Sequence, residues 1–308
     1  MIDLHIHTVY SDGIPDFDEI INLSNRMERI SVTDHNSVRF YLEFKQKMLS
    51  TPELLANAGK FVVGTEVTME GYPDYLLYFS RIQDIDTSEL MAIEKKLKAI
   101  RENEAVAIKA AYESLGFTSW ETDFSKVNGV NKVPLEARTK ELAAICYLKR
   151  TGSVEYGRFE IEDLRKARIA RRNIDKTSAP HTETPFDIAQ KTGGTLVLAH
   201  PIRTAIKHTG RSSELKEIEV ELDSLLSSFF RHGGSTIEWE FLDGEMDASA
   251  NRYPALSGAY PKIRKLVKDA ITKYNFKCIW GSDTHRNYPD YYKKWEEDVH
   301  KEFKDLLP

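Results

Sequence analysis

The segment DLHIHTVYSDG at residues 3–13 decides how this chain folds and what it can bind. Apolar and polar side chains alternate from residue 2 to residue 7, and this alternation predicts a β-strand. His5 and His7 therefore point to the same face of the strand, separated by two strand rises, or about 6.6 Å. Two imidazoles at that spacing can reach a single cation, so the segment predicts a strand that carries metal ligands.

Outward from this strand, further short apolar segments recur along the chain. They are RISVTD (29–34), FVVGTE (61–66), DYLLYF (74–79), TLVLAH (195–200), STIEWE (235–240) and FKCIWG (276–281). Helical spacing of apolar residues is found at 15–28, 214–232 and 260–274. Strands that alternate with helices are typical of βα units and a mostly parallel sheet. Seven strands favour an α/β fold of the distorted (β/α)7 barrel type, similar to a TIM barrel, over an open sheet.

Residues 81–180 interrupt this alternation and contain no convincing strand. Asp86 and Glu89 predict a capping box at the start of a helix, and residues 136–150 and 159–173 also have helical spacing. We interpret 81–180 as a helical insertion, or lid, between two parts of the barrel at 1–80 and 181–308. Residues 136–176 contain 11 Lys or Arg and 7 Asp or Glu. This excess indicates either a solvated helix face or a surface turned towards an anionic substrate.

Composition limits the classes of protein to which the chain can belong. The net charge of −5 argues against a broad basic surface for nucleic acid, although a local patch stays open. No apolar run reaches the length of a membrane span, and residues 1–7 do not resemble a signal peptide. The two cysteines, Cys146 and Cys278, lie in apolar runs and are interpreted as core residues. We therefore expect a cytoplasmic protein with no membrane partner.

The rare polar residues fall at the ends of the predicted strands. In barrels of parallel strands these ends meet at one face, where active sites form. Five of the nine histidines lie there, namely His5, His7, His35, His200 and His285, together with Asp12, Asp34, Glu66 and Asp283. Imidazole and carboxylate ligands suit zinc, manganese or iron. The pattern predicts a metal centre at this face.

Five segments resemble, in order, the motifs of the PHP (polymerase and histidinol phosphatase) family. They are DLHIHTVYSDG, SVTDHNS, VVGTEVT, VLAHPIR and WGSDTH, and they extend over most of the chain. The insertion and the Ala-His-Pro-x-Arg motif most resemble the stand-alone nucleotide phosphoesterases, including nucleoside 3′,5′-bisphosphate phosphatases. The resemblance implies two or three divalent ions (manganese, zinc or iron, with magnesium as a further candidate) and a metal-activated hydroxide that cleaves a phosphate ester.

The resemblance also implies a role for each matching residue. It implies that His5, His7, Glu66 and Asp283 bind the first metal, that Glu66 bridges to a second metal bound by His200, and that Asp12, His35 and His285 bind a third. Among these residues, Asp12, His35, His200 and Asp283 are the expected catalytic set. Arg203, in AHPIR, and Arg138, in EARTKELA, are expected to bind the substrate phosphate.

The chain departs from the family at the start of the fourth strand, where a second ligand of His200's metal is normally a histidine. Here the position reads Tyr75, preceded by Asp74. Three alternatives remain at this stage: Tyr75 is a weak ligand, Asp74 substitutes for the histidine, or the second site is vacant or loosely filled. Asp34 is either a ligand or the orienting partner of a metal-bound histidine. Glu238 and Glu240, in the sixth strand, receive no role.

The sequence thus predicts a cytoplasmic metal-dependent phosphoesterase whose substrate is a small nucleotide or a related phosphorylated metabolite. One rival is a nuclease that acts on nucleic-acid ends through the basic insertion. A second is a metal-dependent hydrolase of another bond. A third is a metal-binding regulatory module without catalytic turnover, and the replacement of a ligand histidine by Tyr75 is the only feature of the sequence that favours it. The oligomeric state is not encoded in any pattern that we find.

Overall fold

A computed structural model describes residues 2–11, 13, 15–69, 71–114, 183–209, 214–239 and 258–285. Every one of the seven predicted strands is present. They are β1 (Ile2–Ile6), β2 (Arg29–Val32), β3 (Val62–Val67), β4 (Tyr75–Arg81), β5 (Thr195–Leu198), β6 (Thr236–Trp239) and β7 (Lys277–Trp280). The predicted helices at 136–150 and 159–173, the basic stretch at 136–176 and Cys146 lie outside the described residues. The boundaries of the insertion therefore stay a prediction.

Eight helices separate or follow these strands in the described residues. They are α1 (Phe17–Ser24), α2 (Arg39–Met48), α3 (Pro52–Ala58), α4 (Thr87–Ser114), α5 (Pro185–Thr192), α6 (Pro201–Thr209), α7 (Leu215–Arg231) and α8 (Tyr260–Tyr274). Capping explains several of the starts: α1 begins after Asp16, whose carboxylate accepts the backbone N–H of Glu19 in a reciprocal capping box. The helix predicted at 260–274 has the predicted bounds.

The strands form a two-stranded sheet, β1-β2, and a five-stranded sheet in the order β3-β4-β5-β6-β7. The β1-β2, β5-β6 and β6-β7 pairs are parallel, as predicted. The prediction of a mostly parallel sheet is wrong for β4, which runs antiparallel to both β3 and β5. The connection from Val67 to Tyr75 is too short for the crossover that a parallel pair requires, so the chain must reverse.

Isolated parallel bridges join the edges of the two sheets. Ile30 pairs with Phe61 and His35 with Glu66, which brings the end of β2 beside β3. On the other side Ile6 pairs with Thr284, whose carbonyl accepts the backbone N–H of His7 at 2.9 Å. The described residues therefore form a mixed α/β fold in which the carboxyl ends of β1, β2, β3 and β7 are neighbours.

Among the described residues, three apolar clusters cover the two faces of the strands. Two large clusters lie under the helices: one contains Phe17, Phe44 and Leu97, and the other contains Leu222 and Phe229. The opposite face holds a smaller cluster to which both sheets contribute. Its members are Leu76, Tyr78, Val197, Ala199 and Ile279, with Leu4 and Val62 packed against them. The Tyr78 hydroxyl donates to the Leu4 carbonyl at 2.6 Å, which links the five-stranded sheet to β1.

Helix α4 links the far end of β4 to the segment predicted as an insertion. Its apolar side, which includes Leu90 and Leu97, packs into the same cluster as Phe17. One half of the predicted capping box is present, because the Asp86 carboxylate accepts the backbone N–H of Glu89 at 2.8 Å. Residues 115–182 are not described, and the next described residue, Glu183, forms a salt bridge with Lys96 of α4 at 2.6 Å. Within the described residues, no helix combines the length and apolar character that a bilayer crossing demands.

Candidate metal centre

The paired histidines of β1 lie at the centre of the site. Both side chains are fully buried, and the Nε2 atoms of His5 and His7 are 3.0 Å apart. The His7 Nε2 atom is also 3.1 Å from a carboxylate oxygen of Glu66 and 3.1 Å from one of Asp283. The His5 Nε2 atom lies 3.5 Å and 3.4 Å from the same two oxygens. Four potential ligand atoms from three strand ends therefore converge on one point.

The two carboxylate oxygens of Glu66 face two different groups of candidate ligands. Oε2 faces His5 and His7, and it also lies 3.2 Å from Nδ1 of His35. Oε1 instead lies 3.0 Å from Nε2 of His200. This geometry is the one that a bridging carboxylate requires. Burial alone would raise the pKa of Glu66, but the charge of His35 and hydrogen bonds from the other histidines hold that pKa well below its usual range.

Asp283 closes the first group from the end of β7. Burial would raise its pKa, but the guanidinium of Arg203 and the charge of His5 hold it well below the ordinary value. Arg203 forms a salt bridge to the second oxygen of Asp283 through Nη1. Its side chain is 26% exposed, so the guanidinium lies at the edge of the site rather than inside it. Solvent therefore reaches the guanidinium of Arg203, and its contact with a substrate phosphate stays a prediction.

A second set of histidines stands beside the first. The ring of His7 stacks on that of His285, with centroids 4.2 Å apart, and lies 4.6 Å from that of His35. One nitrogen of each of these three rings lies within 4.8 Å of the others, a spacing that one cation could span. His35 and His285 are partly exposed, so solvent reaches this side of the site. Asp12, which the resemblance adds to this set, lies outside the described residues.

The third set consists of Glu66, Asp74 and His200, which also offer ligand atoms within 4.8 Å of one another. Tyr75 does not join them. Its ring packs against Phe186 and Phe229 in the apolar cluster, at centroid distances of 5.7 and 5.8 Å. Burial raises the pKa of Tyr75 to about 12, so its hydroxyl stays protonated. Of the three alternatives for this position, a Tyr75 ligand is therefore the one that the geometry disfavours.

Glu238 is the functional candidate that the sequence did not reveal. Its carboxylate is fully buried and accepts from Nδ1 of His5 at 2.8 Å and from the backbone N–H of His200 at 2.8 Å. A proton held on Nδ1 leaves the lone pair of Nε2 directed at the first group, which is how orienting carboxylates act in metal sites. Burial would lower the pKa of His5, but Glu238 and Asp283 raise it well above the ordinary value. Glu240 lies outside the described residues.

Two other buried carboxylates support the backbone around the site. Asp34 accepts from the Thr8 backbone N–H at 2.7 Å and from the Ser11 hydroxyl at 2.5 Å, and it thereby holds the loop that follows β1. Ser11 in turn lies 3.4 Å from Nδ1 of His7, so Asp34 acts on that histidine through a hydroxyl. Burial raises the pKa of Asp34, against the hydrogen bonds that lower it. Asp3 accepts the backbone N–H of Ser282 at 2.9 Å, which attaches the end of β7 to β1.

Backbone geometry at the site is unusual. Among the described residues, four that are not glycine have positive φ: Asn36, His200, Asn275 and Asp283. Two of these are candidate ligands, with φ of 26° for His200 and 50° for Asp283, and Asn36 directly follows His35. Such conformations persist only where surrounding contacts impose them, and they concentrate at functional sites. Arg138, the second predicted phosphate contact, lies outside the described residues.

Comparison with known proteins finds solved structures that are similar to this chain in fold. No known family profile matches the sequence, and no curated protein does either. One similar crystal structure is that of a proposed metal-dependent phosphoesterase from Bifidobacterium adolescentis. It matches this chain with a TM-score of 0.56 and 17% identity. The match covers 94% of this chain and 89% of that one. The likeness shows a shared fold.

Two further structures are similar. An amidohydrolase from Chromobacterium violaceum, solved with sulfate and no metal, has a TM-score of 0.50 and 18% identity over 96% of both chains. A two-domain protein from Bacteroides vulgatus, which contains a predicted PHP-like metal-dependent phosphoesterase, has a TM-score of 0.38 and 13% identity. The match covers 98% of this chain but 55% of that protein.

Proposed function

We propose that the protein is a metal-dependent phosphoesterase of the PHP type, with a seven-stranded distorted barrel formed by the two sheets and the bridges between them. The observation that carries the proposal is the overlap of three ligand groups: His7 belongs to two of them, and Glu66 also belongs to two. Clustered groups that share ligands suit several cations held close together, the arrangement used by enzymes that hydrolyse phosphate esters.

The ligand set fits divalent cations on physical grounds. The Nε2 atoms of His5 and His7 are 3.0 Å apart, and both approach the same carboxylate oxygens. Two imidazole nitrogens in such contact cannot both be satisfied by donating to each other, whereas a cation accepts both lone pairs. We assign His5, His7, Glu66 and Asp283 to the first cation. Bound cations would neutralise phosphate charge and lower the pKa of a water molecule.

The residues of the chain supply orientation and charge around that centre. Glu238 keeps the proton of His5 on Nδ1, so that Nε2 stays directed at the first ligand group. Arg203, anchored on Asp283 at the solvent edge, would receive the phosphate oxygens of a substrate. We propose His35, His200, Asp283 and the undescribed Asp12 as the catalytic set, and a small nucleotide or related phosphorylated metabolite as the substrate. The net charge of −5 favours such a metabolite over a nucleic-acid polymer.

The test is phosphate release from nucleoside monophosphates and 3′,5′-bisphosphates in the presence of Mn²⁺, compared with a chelated sample. We expect phosphate release that chelation and His35→Ala both remove. His35 belongs to a ligand group that shares His7 with the first group, so its loss should weaken cation binding there. His232→Ala is the matched control, since that exposed histidine lies at the carboxyl end of α7, away from the ligand groups, where it contacts the Ser228 carbonyl and the ring of Phe186. Equal release by the folded His35→Ala protein would refute the proposal.

Amide and lactone substrates belong in the same panel, because one of the similar structures is an amidohydrolase. Hydrolysis of these substrates without phosphate release would assign the site to another bond. Cleavage of oligonucleotide ends in preference to mononucleotides would favour the nuclease. Metal binding without any turnover would favour the regulatory module.

A further inference from the structure

Asp74 occupies a position that the reversal of β4 creates. Because β4 is antiparallel to β3 and β5, its first residue lies level with the last residues of its neighbours: Tyr75 pairs with Val67 and with Leu198. The Asp74 carbonyl accepts the backbone N–H of Ala199 at 3.1 Å, directly before His200. The residue that precedes β4 is therefore delivered to the same edge of the sheet as His200.

Alternation along β4 then decides which side chain faces the ligands. Tyr75 points to the helix-covered side, where its ring is 5% exposed among aromatic neighbours. Leu76 and Tyr78 point to the opposite face and join the smaller cluster. Asp74, one residue before Tyr75, presents its carboxylate on the side where Glu66 and His200 offer ligand atoms within 4.8 Å. The carboxylate is 14% exposed, so it is largely shielded from water.

We infer that Asp74, Glu66 and His200 form a complete second cation site and that this site prefers a cation that favours oxygen ligands. This inference rests on the proposed function, because it concerns one of the same three ligand groups. The donor sets differ in kind: the set of Asp74 has two carboxylates and one imidazole, whereas that of His35 has three imidazoles. Carboxylate-rich sites suit Mn²⁺ or Mg²⁺, and imidazole-rich sites suit Zn²⁺.

Lys207 controls how strongly the second site holds its cation. Its ammonium lies 3.6 Å from Oδ2 of Asp74, and its side chain is 70% exposed, so it can move away into solvent. The ammonium compensates the charge of Asp74 when no cation is bound, and it competes with the cation. Removal of this charge is expected to tighten cation binding about two- to fivefold, the range of an exposed ion pair. Loss of Asp74 and loss of Lys207 therefore have opposite effects at one site.

The experiment measures cation stoichiometry rather than turnover. Metal-free protein is titrated with Mn²⁺, bound metal is counted after equilibrium dialysis, and the electron paramagnetic resonance spectrum reports coupling between adjacent Mn²⁺ ions. Asp74→Asn is expected to bind one ion fewer than the unsubstituted protein and to lose the part of the coupled signal that arises through Glu66, because Glu66 then has one cation fewer to bind. Tyr75→Phe is the matched control and keeps both, and Lys207→Gln fills the site at lower free Mn²⁺.

Two further results would overturn the inference. One is an unchanged stoichiometry in Asp74→Asn. The other is the loss of one ion in Tyr75→Phe. Asp74→His provides a further test. An imidazole at this position should restore the number of bound ions and shift the preference of the site from Mn²⁺ to Zn²⁺. The inference and the proposed function fail separately: a protein that loses one ion in Asp74→Asn yet releases no phosphate retains the site and refutes only the phosphoesterase.

Discussion

At the scale of single residues, the site depends on side chains that do not touch a cation themselves. Glu238 is the main example, because it joins His5 of one sheet to the backbone of His200 in the other. Glu238 and Glu240 both lie in the predicted sixth strand, but neither received a role from the sequence. The role of Glu238 depends on which strands are neighbours, and one sequence does not specify strand order. The ligands themselves were predictable, because each stands at a strand end.

Glu238→Gln is the variant that tests this orienting role. The amide keeps the shape of the side chain but removes the charge that favours a proton on Nδ1 of His5. We expect the affinity for the first cation to fall about 10- to 100-fold, the usual effect of an altered orienting partner. Competition with a fluorescent chelator measures the change.

Glu221→Gln provides a chemically matched control for that experiment. Glu221 also accepts from a histidine, Nδ1 of His208 at 2.8 Å, but the pair is exposed on α6 and α7. Its substitution should leave cation affinity unchanged. Equal affinities for Glu238→Gln and Glu221→Gln would show that the buried carboxylate does not orient the site.

Gly281 shows how closely the strand ends approach at the site. A Cβ atom at this residue would lie 2.1 Å from Cβ of His5 and 2.9 Å from an oxygen of Glu238. No sequence pattern predicts this requirement, because it arises where β7 meets β1 at a distance of more than 270 residues along the chain. A glycine is required here by contact rather than by its torsion angles.

At the scale of elements, helix α4 acts on the site from outside the strands. Arg101 is fully buried and donates to the carbonyl of Asn36, the residue after His35, and to the carboxylate of Glu94. Glu94 also accepts the backbone N–H of Val38 at 3.0 Å. Both ends of the short segment that follows His35 are therefore attached to one helix. The sequence predicted this helix from its spacing, but its charged contacts were not predictable, because Arg101 reads as an ordinary exposed residue.

Arg101→Ala is expected to lower the free energy of unfolding by about 3 kcal/mol, because it removes the buried charged donor of the Asn36 carbonyl and of the Glu94 carboxylate, which then keeps the Val38 backbone N–H and Arg39. Urea denaturation measures the difference. Lys98→Ala, on the exposed side of the same helix, removes only a surface pair with Glu102 and should cost less than about 0.5 kcal/mol. Similar losses in the two variants would contradict a supporting role for Arg101.

At the scale of the whole molecule, the site joins the two sheets, and cation binding should therefore stabilise the entire fold. The first ligand group takes His5 from β1, His7 from the position directly after it, Glu66 from β3 and Asp283 from beyond β7. A cation at 100 times its dissociation constant contributes about 2.7 kcal/mol if it does not bind the unfolded chain. For a chain of this size that energy raises the unfolding temperature by roughly 4 °C.

Thermal unfolding of the metal-free protein, with and without Mn²⁺, checks this expectation. The increase should be absent in a protein that carries His5→Ala and His7→Ala together, since the first group then loses half of its ligands. An equal increase in that double variant would mean that Mn²⁺ stabilises the chain elsewhere.

The reversal of β4 also has a consequence for how such a protein can diversify. The carboxyl end of β4, at Arg81, pairs with the start of β3, on the rim away from the ligands. Helix α4 leaves from that rim and passes the level of the site at Arg101, and the returning chain is held at Glu183 by Lys96 and Lys191. Both attachments lie outside the ligand set. Substitutions at these two attachments are thus genetically separable from the candidate ligands, so that selection can alter this side of the fold while the ligands stay constant.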